Sequence, residues 1–564
     1  MKKIISLIIV IILSLGIIRA LFLPGYFPMH DDTQPSRIYE MSQALRQGQF
    51  PVRWVPDLGY GFGYPLFNFY APLPYYVGSV FNLFGIDAIT SAKIMFAVGA
   101  VLAGISMFLL ISELFGTLPA ITAAVLYMYA PYHAVNIFVR GAVGEYYAYA
   151  FLPFLLLGVI KIFRSQFKSG LVIGSLSYAA ILLSHNILGM ITTYFLIVSL
   201  ILYLIYIAIK KQNKFIIYNL AFIILLGFSL SAFFTLPAFL EKSYTKVDAL
   251  AQGSNHYNLH FVYPFQLWNS PWGFAGSTEG TLDGMSFMVG KIHFILAIGI
   301  IFAILFIYKK KIHDRFQFLV ISFGFLIFLV SLFFTLGYSK IFYDLLPGFA
   351  FIQYPWRFLN FAVFSVSIIS SVYFILIKNK ALQIIFSALV IILTIYFNWN
   401  FFYPQGIYTP KESDFISSDN LRFRISKISD EYMPPDFPIP KELNQTVSHG
   451  ISSTSELNLL RIDKEAPNYK KYEIVSGIWQ QNVLNIAYFP GWQAYVDGRQ
   501  VTLGRQEGKI SVAIPDGRHI LELKFKETRG RLLANTISLL SLFLIVYLSL
   551  FRSMHFLWPK KQSR

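Results

Sequence analysis

Two adjacent carboxylates, Asp31 and Asp32, follow the first apolar segment and are the clearest candidates for chemistry in this chain. Adjacent carboxylates repel each other, so one of them has a raised pKa unless a cation or a metal compensates. Such a carboxylate could serve as a general base on an acceptor hydroxyl within hydrogen-bond reach. The structural alternative is a solvated Asx turn or helix cap before Pro35. The pattern leaves both interpretations open.

Arginine recurs in the polar segments, and guanidinium pairs well with phosphate in a bidentate manner. A phosphate leaving group needs such partners as negative charge builds on it. The alternative is that each arginine reaches the lipid headgroups, which we favour for Arg19, and Glu145 offers simple neutralisation of Arg140. The candidates for holding phosphate are Arg37, Arg53, Arg140 and Arg357.

Several kinds of site are excluded by residue type and spacing. The chain has no cysteine, which removes disulfides and thiolate sites. His133, His185 and His256 lie in or beside polar segments, and no two of these three have the His-x-x-x-His spacing of a metal site. His256 and His260 have that spacing but lack the glutamate of the His-Glu-x-x-His motif, so we predict no zinc. No phosphate-binding glycine loop, GxSxG or kinase motif is present. An enzyme of this kind would draw its activated substrate from the membrane.

The elements that position these residues are predicted to be membrane helices. Of the 564 residues 56% are hydrophobic and only 13% are charged, against about 25% charged in soluble domains. The apolar residues form twelve blocks of about bilayer-spanning length. Those blocks are 4–23, 91–111, 118–132, 146–162, 170–185, 187–209, 215–239, 292–308, 316–336, 358–377, 381–399 and 532–551. The first is predicted to be a retained helix, because no small-x-small cleavage site precedes Pro24.

Charge predicts the orientation. With the N-terminus inside, the alternating inner segments are 1–3, 112–117, 161–169, 210–214, 309–315, 378–380 and 552–564. They hold 18 of the 46 Lys and Arg but only Glu113 and Asp314 of the 29 acidic residues. This excess follows the positive-inside rule for short loops. The net charge of +17 is therefore explained without a nucleic-acid partner.

The long polar segments then all lie outside, and function concentrates on such loops. They are 24–90, 133–145, 240–291, 337–357 and 400–531. In the first, a helix is predicted over 35–46, with Pro35 in its first turn and Gly48 after its end. Its pattern suits the membrane interface. Trp54 and the tyrosines of 59–76 fit the headgroup layer, or alternatively stack on sugar rings.

The last outer segment, 400–531, is predicted to be a small β-sandwich-like domain. It alternates as strands do over 457–462, 471–476, 479–488, 509–513 and 519–525, and Asp497-Gly498 and Pro515-Asp516-Gly517 are turn signals. We therefore divide the chain into a membrane domain over 1–399, the β-rich domain over 400–531, and a last helix with a basic tail over 532–564.

These same motifs carry a family resemblance. Six stretches resemble the bacterial membrane proteins labelled 6-pyruvoyl-tetrahydropterin-synthase-related. They are His30-Asp31-Asp32-Thr33 with Arg37, 47–54, 59–70, Arg140-Gly141-Ala142 with Glu145, Ser184-His185-Asn186 and Tyr354-Pro355-Trp356-Arg357. The stretch 488–498 is similar to the outer domain of YfhO-like membrane proteins. The resemblance runs from the first helix to about residue 357.

The resemblance implies the GT-C glycosyltransferase superfamily and a GT-C-like membrane fold. Members transfer sugar from a polyprenyl-phosphate donor to a glycan or lipid acceptor outside the bacterial cytoplasmic membrane, with a catalytic carboxylate in the first outer loop. That position corresponds to Asp31 or Asp32. The substrate-binding candidates are His30, Arg37, Arg53, Trp54, Arg140, Glu145, His185 and Arg357. Members differ in metal dependence, so a divalent metal stays open and no other cofactor is implied.

Two alternatives from other classes remain. A flippase or transporter of lipid-linked glycans would place ionisable residues near the bilayer midplane, and the predicted spans carry almost none, with Arg19 and Lys93 near their ends. A non-catalytic envelope protein would use the β-rich domain to bind glycan or a partner chain.

Overall fold

The computed structural model describes residues 2–210, 215–310, 314–451, 457–477 and 479–550. Segments 210–214 and 309–315 lie partly, and 552–564 wholly, outside the described residues. In chain order the helices are α1 Lys2–Ile18, α2 Gln34–Arg46, α3 Leu66–Phe69, α4 Leu73–Leu83, α5 Ala88–Phe115, α6 Thr117–Met128, α7 Pro131–Phe138, α8 Val143–Phe163, α9 Phe167–Ser184, α10 Asn186–Lys210 and α11 Phe215–Leu230. They continue with α12 Ala232–Leu240, α13 Pro264–Trp268, α14 Lys291–Lys310, α15 Arg315–Thr335, α16 Lys340–Leu345, α17 Leu359–Ile369, α18 Val372–Leu376, α19 Lys380–Asn398, α20 Ser413–Ile416, α21 Ser426–Ile428 and α22 Arg529–Leu550.

The described residues of all twelve predicted apolar blocks are largely helical. Within the described ranges, nine segments are long and apolar enough to cross a membrane, and α11 with α12 makes a tenth if their 74° bend lies within one broken span. The remaining two blocks form the shorter apolar helices Thr117–Met128 and Lys291–Ile307. Thr117–Met128 is shorter than the roughly 20 residues of a typical span, and α14 reaches 20 residues only with Lys309 and Lys310 at its end, so the count of twelve is an upper bound.

Contacts between helix connections occur at two ends of the bundle. At the first, which we call the Glu113 end, Arg164 Nη1 donates to Glu113 Oε1 (3.2 Å) and Gln317 Nε2 donates to Leu114 O (2.6 Å). At the second, which we call the Asp31 end, the Asp31 amide donates to Arg140 O (2.9 Å). The long polar segments meet at the Asp31 end.

Helix α2 forms as predicted, with Pro35 in its first turn, but it is more enclosed than its pattern indicates. Arg37 and Glu40 are 4% and 2% exposed. Helices α4 and α5 pack on one side of α2 and α20 packs on it as well, where Ser36 Oγ donates to Phe415 O (2.7 Å). A segment almost 400 residues away thus covers side chains that the local pattern leaves exposed.

The β-rich region contains two antiparallel sheets. The strands are β1 Leu457–Ala466, β2 Tyr469–Ser476, β3 Gln480–Ala487, β4 Trp492–Val496, β5 Arg499–Val501, β6 Leu503–Gln506, β7 Lys509–Ile514 and β8 Gly517–Phe525. One sheet has the order β1-β2-β8-β4-β5 and the other β3-β7-β6. The five predicted strands are present. Strands β4, β5 and β6 were not predicted, because three to five residues are too short to display clear alternation.

The glycine- and tyrosine-rich stretch 59–64 is a docking point for the C-terminal half of the chain. Tyr60 O accepts from the Val447 amide (3.1 Å), and Phe62 O accepts from the Ala487 amide (2.8 Å). Tyr64 is 1% exposed. This placement matches neither the headgroup nor the sugar-stacking interpretation, because contacts distant in sequence bury the rings.

Candidate functional site

The Asp31-Asp32 turn is held against the loop that carries Arg140. The amides of His30 and Asp31 donate to Val139 O (3.0 Å) and Arg140 O (2.9 Å), and Gln34 Nε2 donates to Gly141 O (2.7 Å). Gly141 has φ +64°, and a Cβ added there would overlap the side chain of Met29, just before the turn. The acidic turn and the arginine are therefore held in fixed relation by main-chain contacts.

The two carboxylates have different surroundings. Burial raises the pKa of Asp31, and the positive charges of Arg37 and Arg140 oppose that rise. Burial also raises the pKa of Asp32, to about 6, but there the opposing cation is Arg424. Neither side chain forms a hydrogen bond or ion pair with another described residue. Asp31 is thus the carboxylate within electrostatic range of Arg37, Arg140 and Arg357.

Glu145, at the start of α8, holds two of those arginines. Its side chain is fully buried; Oε1 accepts from Arg140 Nη2 (2.6 Å) and Arg357 Nε (2.8 Å). Its Oε2 accepts from Tyr132 Oη (3.3 Å) and Asn360 Nδ2 (3.2 Å). We call this group, with Asn136, the Glu145 cluster. It brings together three predicted residues that are up to 217 positions apart in the sequence.

Two asparagines close a ring within the Glu145 cluster. Arg140 Nη1 donates to Asn136 Oδ1 (2.7 Å), and Asn136 Nδ2 donates to Asn360 Oδ1 (3.3 Å). The face of Trp356 lies 4.4 Å from the Arg140 guanidinium. Tyr132, Asn136 and Asn360 were not predicted as site residues. The available signal was Asn360 in helix α17, whose other polar residues are two serines.

Arg37 lies in a neighbouring polar network on α2. Its Nη1 donates to Tyr75 Oη (3.3 Å), which in turn donates to Gln34 Oε1 (2.7 Å), and its guanidinium lies 4.2 Å from the ring of Tyr70. Arg37 contributes to the potential at Asp31. The structure therefore relates Arg37 to the same carboxylate as Arg140 and Arg357.

The two predicted histidines lie at the edges of this region. His30 Nε2 is 2.9 Å from Phe274 O, which belongs to the polar segment 240–291. His185 Nδ1 accepts from the Leu188 amide (3.1 Å) at the start of α10. Burial lowers the pKa of His185 to about 3, so it is neutral at neutral pH and adds no charge to the site.

Arg53 and Trp54 lie in a different place. Arg53 donates to Glu527 Oε1 (2.7 Å), Asn68 Oδ1 (3.2 Å) and Asn535 Oδ1 (2.9 Å), which engages all three of its nitrogens. Trp54 is fully buried, with ring centroids of Trp492 and Phe525 both 5.5 Å away. The structure does not bring either residue to Asp31.

A second buried glutamate organises the surroundings of Arg53. Glu241 Oε2 accepts from Arg531 Nε (3.0 Å) and Asn68 Nδ2 (2.9 Å), and Thr528 Oγ1 lies 3.3 Å from Glu241 Oε1. We call this group the Glu241 cluster: Arg53, Asn68, Glu241, Glu527, Thr528, Arg531 and Asn535. It connects the first polar segment, the end of α12 and the start of α22.

The arrangement at Asp31 combines a carboxylate free to accept a proton with N–H groups free to bind an anion. Arg140 Nε and Arg357 Nη2 donate to no acceptor in the described part of the chain. Arg37, Arg140 and Arg357 together with Glu145 and an ionised Asp31 sum to one net positive charge. Among the described residues, no group of three or more His, Cys, Asp or Glu is placed to hold a metal ion.

Comparisons with known proteins give relatives at several levels. A 27% identical match of 211 residues to an uncharacterized protein of Lactococcus lactis subsp. cremoris (strain MG1363) covers 36% of this chain and 34% of that protein. The chain thus aligns with about a third of the length of that relative. The Archaeoglobus fulgidus oligosaccharyltransferase in its apo form is 14% identical with a TM-score of 0.41, covering 80% of this chain and 62% of that one.

A second solved structure is the arabinofuranosyltransferase AftD from Mycobacteria, 13% identical with a TM-score of 0.42, covering 72% of this chain and 27% of that one. The model of the 6-pyruvoyl-tetrahydropterin synthase related domain, a membrane protein family, matches residues 67–402. This range includes Arg140, Glu145, His185 and Arg357 and begins after Asp31. Since it covers more than half of a chain with nine membrane-length helices in its described part, the protein is a multi-pass membrane protein of the 6-pyruvoyl-tetrahydropterin synthase related family.

Proposed function

We propose that the protein is a membrane glycosyltransferase that transfers a sugar from a polyprenyl-phosphate donor to a glycan or lipid acceptor at the Asp31 end. One observation carries the proposal: the unpaired Asp31 carboxylate lies within electrostatic range of arginines that retain free N–H groups. This combination suits a reaction in which a hydroxyl loses a proton while a phosphate leaves. The motif resemblance to GT-C enzymes points to the same reaction.

Asp31 acts on the acceptor in this mechanism. Its carboxylate takes the proton from an acceptor hydroxyl as that oxygen bonds to the anomeric carbon of the donor sugar. General-base assistance of this kind accelerates reactions by about 10²–10⁴-fold. The raised pKa of Asp31 makes it a stronger base than an ordinary aspartate. Asp32, which responds to Arg424 and not to the Glu145 cluster, is assigned no proton transfer.

The arginines act on the donor. As the bond between the anomeric carbon and the phosphate oxygen breaks, its electron pair stays on the phosphate. Arg140 and Arg357 stabilise that charge with their free N–H groups, and Arg37 adds to the positive potential. Glu145 does not react; it orients the two guanidinium groups by accepting from both. Charge-assisted hydrogen bonds to phosphate are the stronger kind.

We further propose that the Asp31 end faces outward from a bacterial cytoplasmic membrane. The basic inner segments support this orientation through the positive-inside rule. The membrane then supplies the lipid-linked donor directly, and the β-rich region lies on the same side as the acceptor. Its docking through residues 59–64 places it beside the first polar segment.

Purified full-length protein incubated with polyprenyl-phosphate-linked sugars tests the function. We expect release of polyprenyl phosphate together with glycosylation of an acceptor. Asp31→Asn should lower the rate about 10³-fold, whereas Asp32→Asn is the matched control and should remain within fivefold of wild type. Size-exclusion profiles and thermal unfolding establish that both variants are folded.

Three results would contradict the proposal. Wild-type rates in Asp31→Asn would remove the assigned base. Donor movement between leaflets of a reconstituted vesicle, without sugar transfer, would favour a flippase. Binding of glycan by an inert full-length protein would favour the non-catalytic alternative.

A further inference from the structure

A cavity of about 530 Å³ lies beside α1 at the Asp31 end, apart from the proposed active site. Its lining includes neither the Asp31-Asp32 turn nor any member of the Glu145 cluster. Thr409 and Pro410 close it from the C-terminal segment. The walls are largely apolar and come from the residues that follow α1 and from the first turns of α5: Leu21, Phe22, Leu23, Ile89, Ile94 and Ala97.

Two opposite charges line this apolar cavity. Lys93 Nζ donates to Leu23 O (2.7 Å) and Gly25 O (2.8 Å). An ammonium group has a third N–H, for which no described residue supplies an acceptor. Asp87 is exposed; its Oδ1 accepts from the Thr90 amide (2.9 Å), and its Oδ2 has no donor among the described residues. Each charge therefore keeps unused hydrogen-bonding capacity.

The two charges are also held in relation to each other by α5. Asp87 caps the helix, and Lys93 follows six residues later, about 9 Å along the axis. Long side chains on a helix lean back toward its N-terminus, which brings the ammonium closer to Asp87. The two carbonyls that accept from Lys93 fix its position.

The cavity lies next to exposed apolar side chains at the end of the first membrane-spanning segment, Lys2–Phe22. Phe22 in its wall is 69% exposed, and Ile12 and Leu15 on α1 are 58% and 50% exposed. In a membrane protein such apolar exposure is directed at lipid chains. A lipid can therefore enter from the side, with its chain on the apolar wall and its headgroup at the charges.

We propose that this cavity binds one phospholipid whose headgroup carries both a phosphate and a primary ammonium, as in phosphatidylethanolamine. The third N–H of Lys93 donates to a phosphate oxygen, and the headgroup ammonium donates to Asp87 Oδ2, both charge-assisted bonds. A headgroup with phosphate alone would leave Asp87 unpaired beside an anion. A quaternary ammonium has no N–H to donate. The assignment does not depend on the proposed sugar transfer.

Native mass spectrometry of the full-length protein, with equal amounts of phosphatidylethanolamine, phosphatidylglycerol and phosphatidylcholine, tests the proposal. We expect one retained phosphatidylethanolamine, at least fivefold over either competitor. Ala97→Phe fills the apolar wall and should abolish retention. Leu305→Phe, on a 60% exposed position of α14, is the matched control and should not change it.

Asp87→Asn tests the headgroup assignment separately, because asparagine still caps a helix. We expect this variant to lose the preference for phosphatidylethanolamine over phosphatidylglycerol. Equal retention of the three lipids by the wild type, or unchanged retention in Ala97→Phe, would mean ordinary annular lipid and overturn the proposal. A wild-type preference for phosphatidylglycerol would overturn it as well.

Discussion

The Asp31 end contains two buried clusters that each hold two arginines and a buried glutamate, and that differ in how completely they are paired. In the Glu241 cluster, two arginines face two glutamates, and every nitrogen of Arg53 has a protein acceptor. In the Glu145 cluster, Glu145 holds Arg140 and Arg357 while N–H groups of both remain free. Asp31 stands nearby without a partner.

This difference indicates two tasks. The Glu241 cluster balances two arginines with two glutamates and joins the first polar segment to α12 and α22. Arg531 Nη1 and Glu527 Oε2 are its buried side-chain atoms without a partner among the described residues. A cluster with surplus positive charge and free donors is incomplete without an anion. The two clusters are similar in burial and in arginine content, so these two properties do not distinguish a structural cluster from a binding site. The balance of charge and the hydrogen bonding of the arginines distinguish the two clusters.

The largest expected effect is on stability, through the Glu241 cluster. Glu241→Gln leaves Arg531 buried without its carboxylate, and breaking a buried pair in this way costs about 3–5 kcal/mol. We expect a marked fall in the thermal unfolding temperature in detergent, with sugar-transfer rate per folded molecule within twofold of wild type. A large loss of rate at unchanged stability would place Glu241 in the active site and break the comparison.

The next effect is on the active site. Glu145→Gln keeps the shape of the side chain but removes the charge that orients Arg140 and Arg357, so we expect the transfer rate to fall about 100-fold, equal to about 2.7 kcal/mol of barrier. The measurement is kcat at saturating donor on the folded fraction. If Glu145→Gln and Glu241→Gln lower stability equally and hardly change the transfer rate, both clusters have a purely structural role.

The third prediction concerns Asp32 and the pH dependence of folding stability. Its pKa is about 6 in the fold against about 3.9 when unfolded, so folded protein loses stability as pH rises from about 4 to 6 and stays at the lower level above that. Asp32→Asn removes the loss, and we expect a gain of about 2 kcal/mol at pH 7 and none at pH 4, allowing for solvent screening of a half-buried group. Thermal unfolding of variant and wild type across pH 4–8 measures it; parallel curves would contradict the assignment.

The smallest effect tests how the donor phosphate is held. Arg357→Lys keeps the charge but replaces a planar fork with a point charge, and we expect the KM for the donor to rise about tenfold with kcat changed less. Arg53→Lys is the control in the Glu241 cluster and should leave the KM unchanged. Equal shifts in both variants would remove the distinction between the clusters as far as the donor is concerned.

Much of the fold was predictable from the sequence. The twelve apolar blocks, helix α2 and five of eight strands follow from local periodicity and capping residues. Of the predicted site residues, Arg140, Glu145 and Arg357 come together, and Asp31 and Arg37 lie beside them. Arg53 and Trp54 do not, because the same residue types also serve in packing.

Other features needed partners that no local pattern reveals. Asn136 and Asn360 close the ring around Glu145 but belong to no motif of their own. The exposed-looking polar residues of α2 are buried by a segment near residue 415. The rings of 59–64 are covered by residues of the C-terminal half.

What the sequence by itself determined are properties that add up residue by residue along a short window: hydropathy, the alternation of charge between loops, helix ends and strand periodicity. They yield the membrane helices and gather the long segments at one end. Only the tertiary structure decided which charges are paired. Glu145 and Arg357 are 212 residues apart, and Arg53 and Glu527 are 474 apart. Packing decides which acceptors surround each arginine, and it supplies the low-dielectric surroundings in which pairing matters. The hydrogen bonding of the arginines then distinguishes the candidate site from the Glu241 cluster.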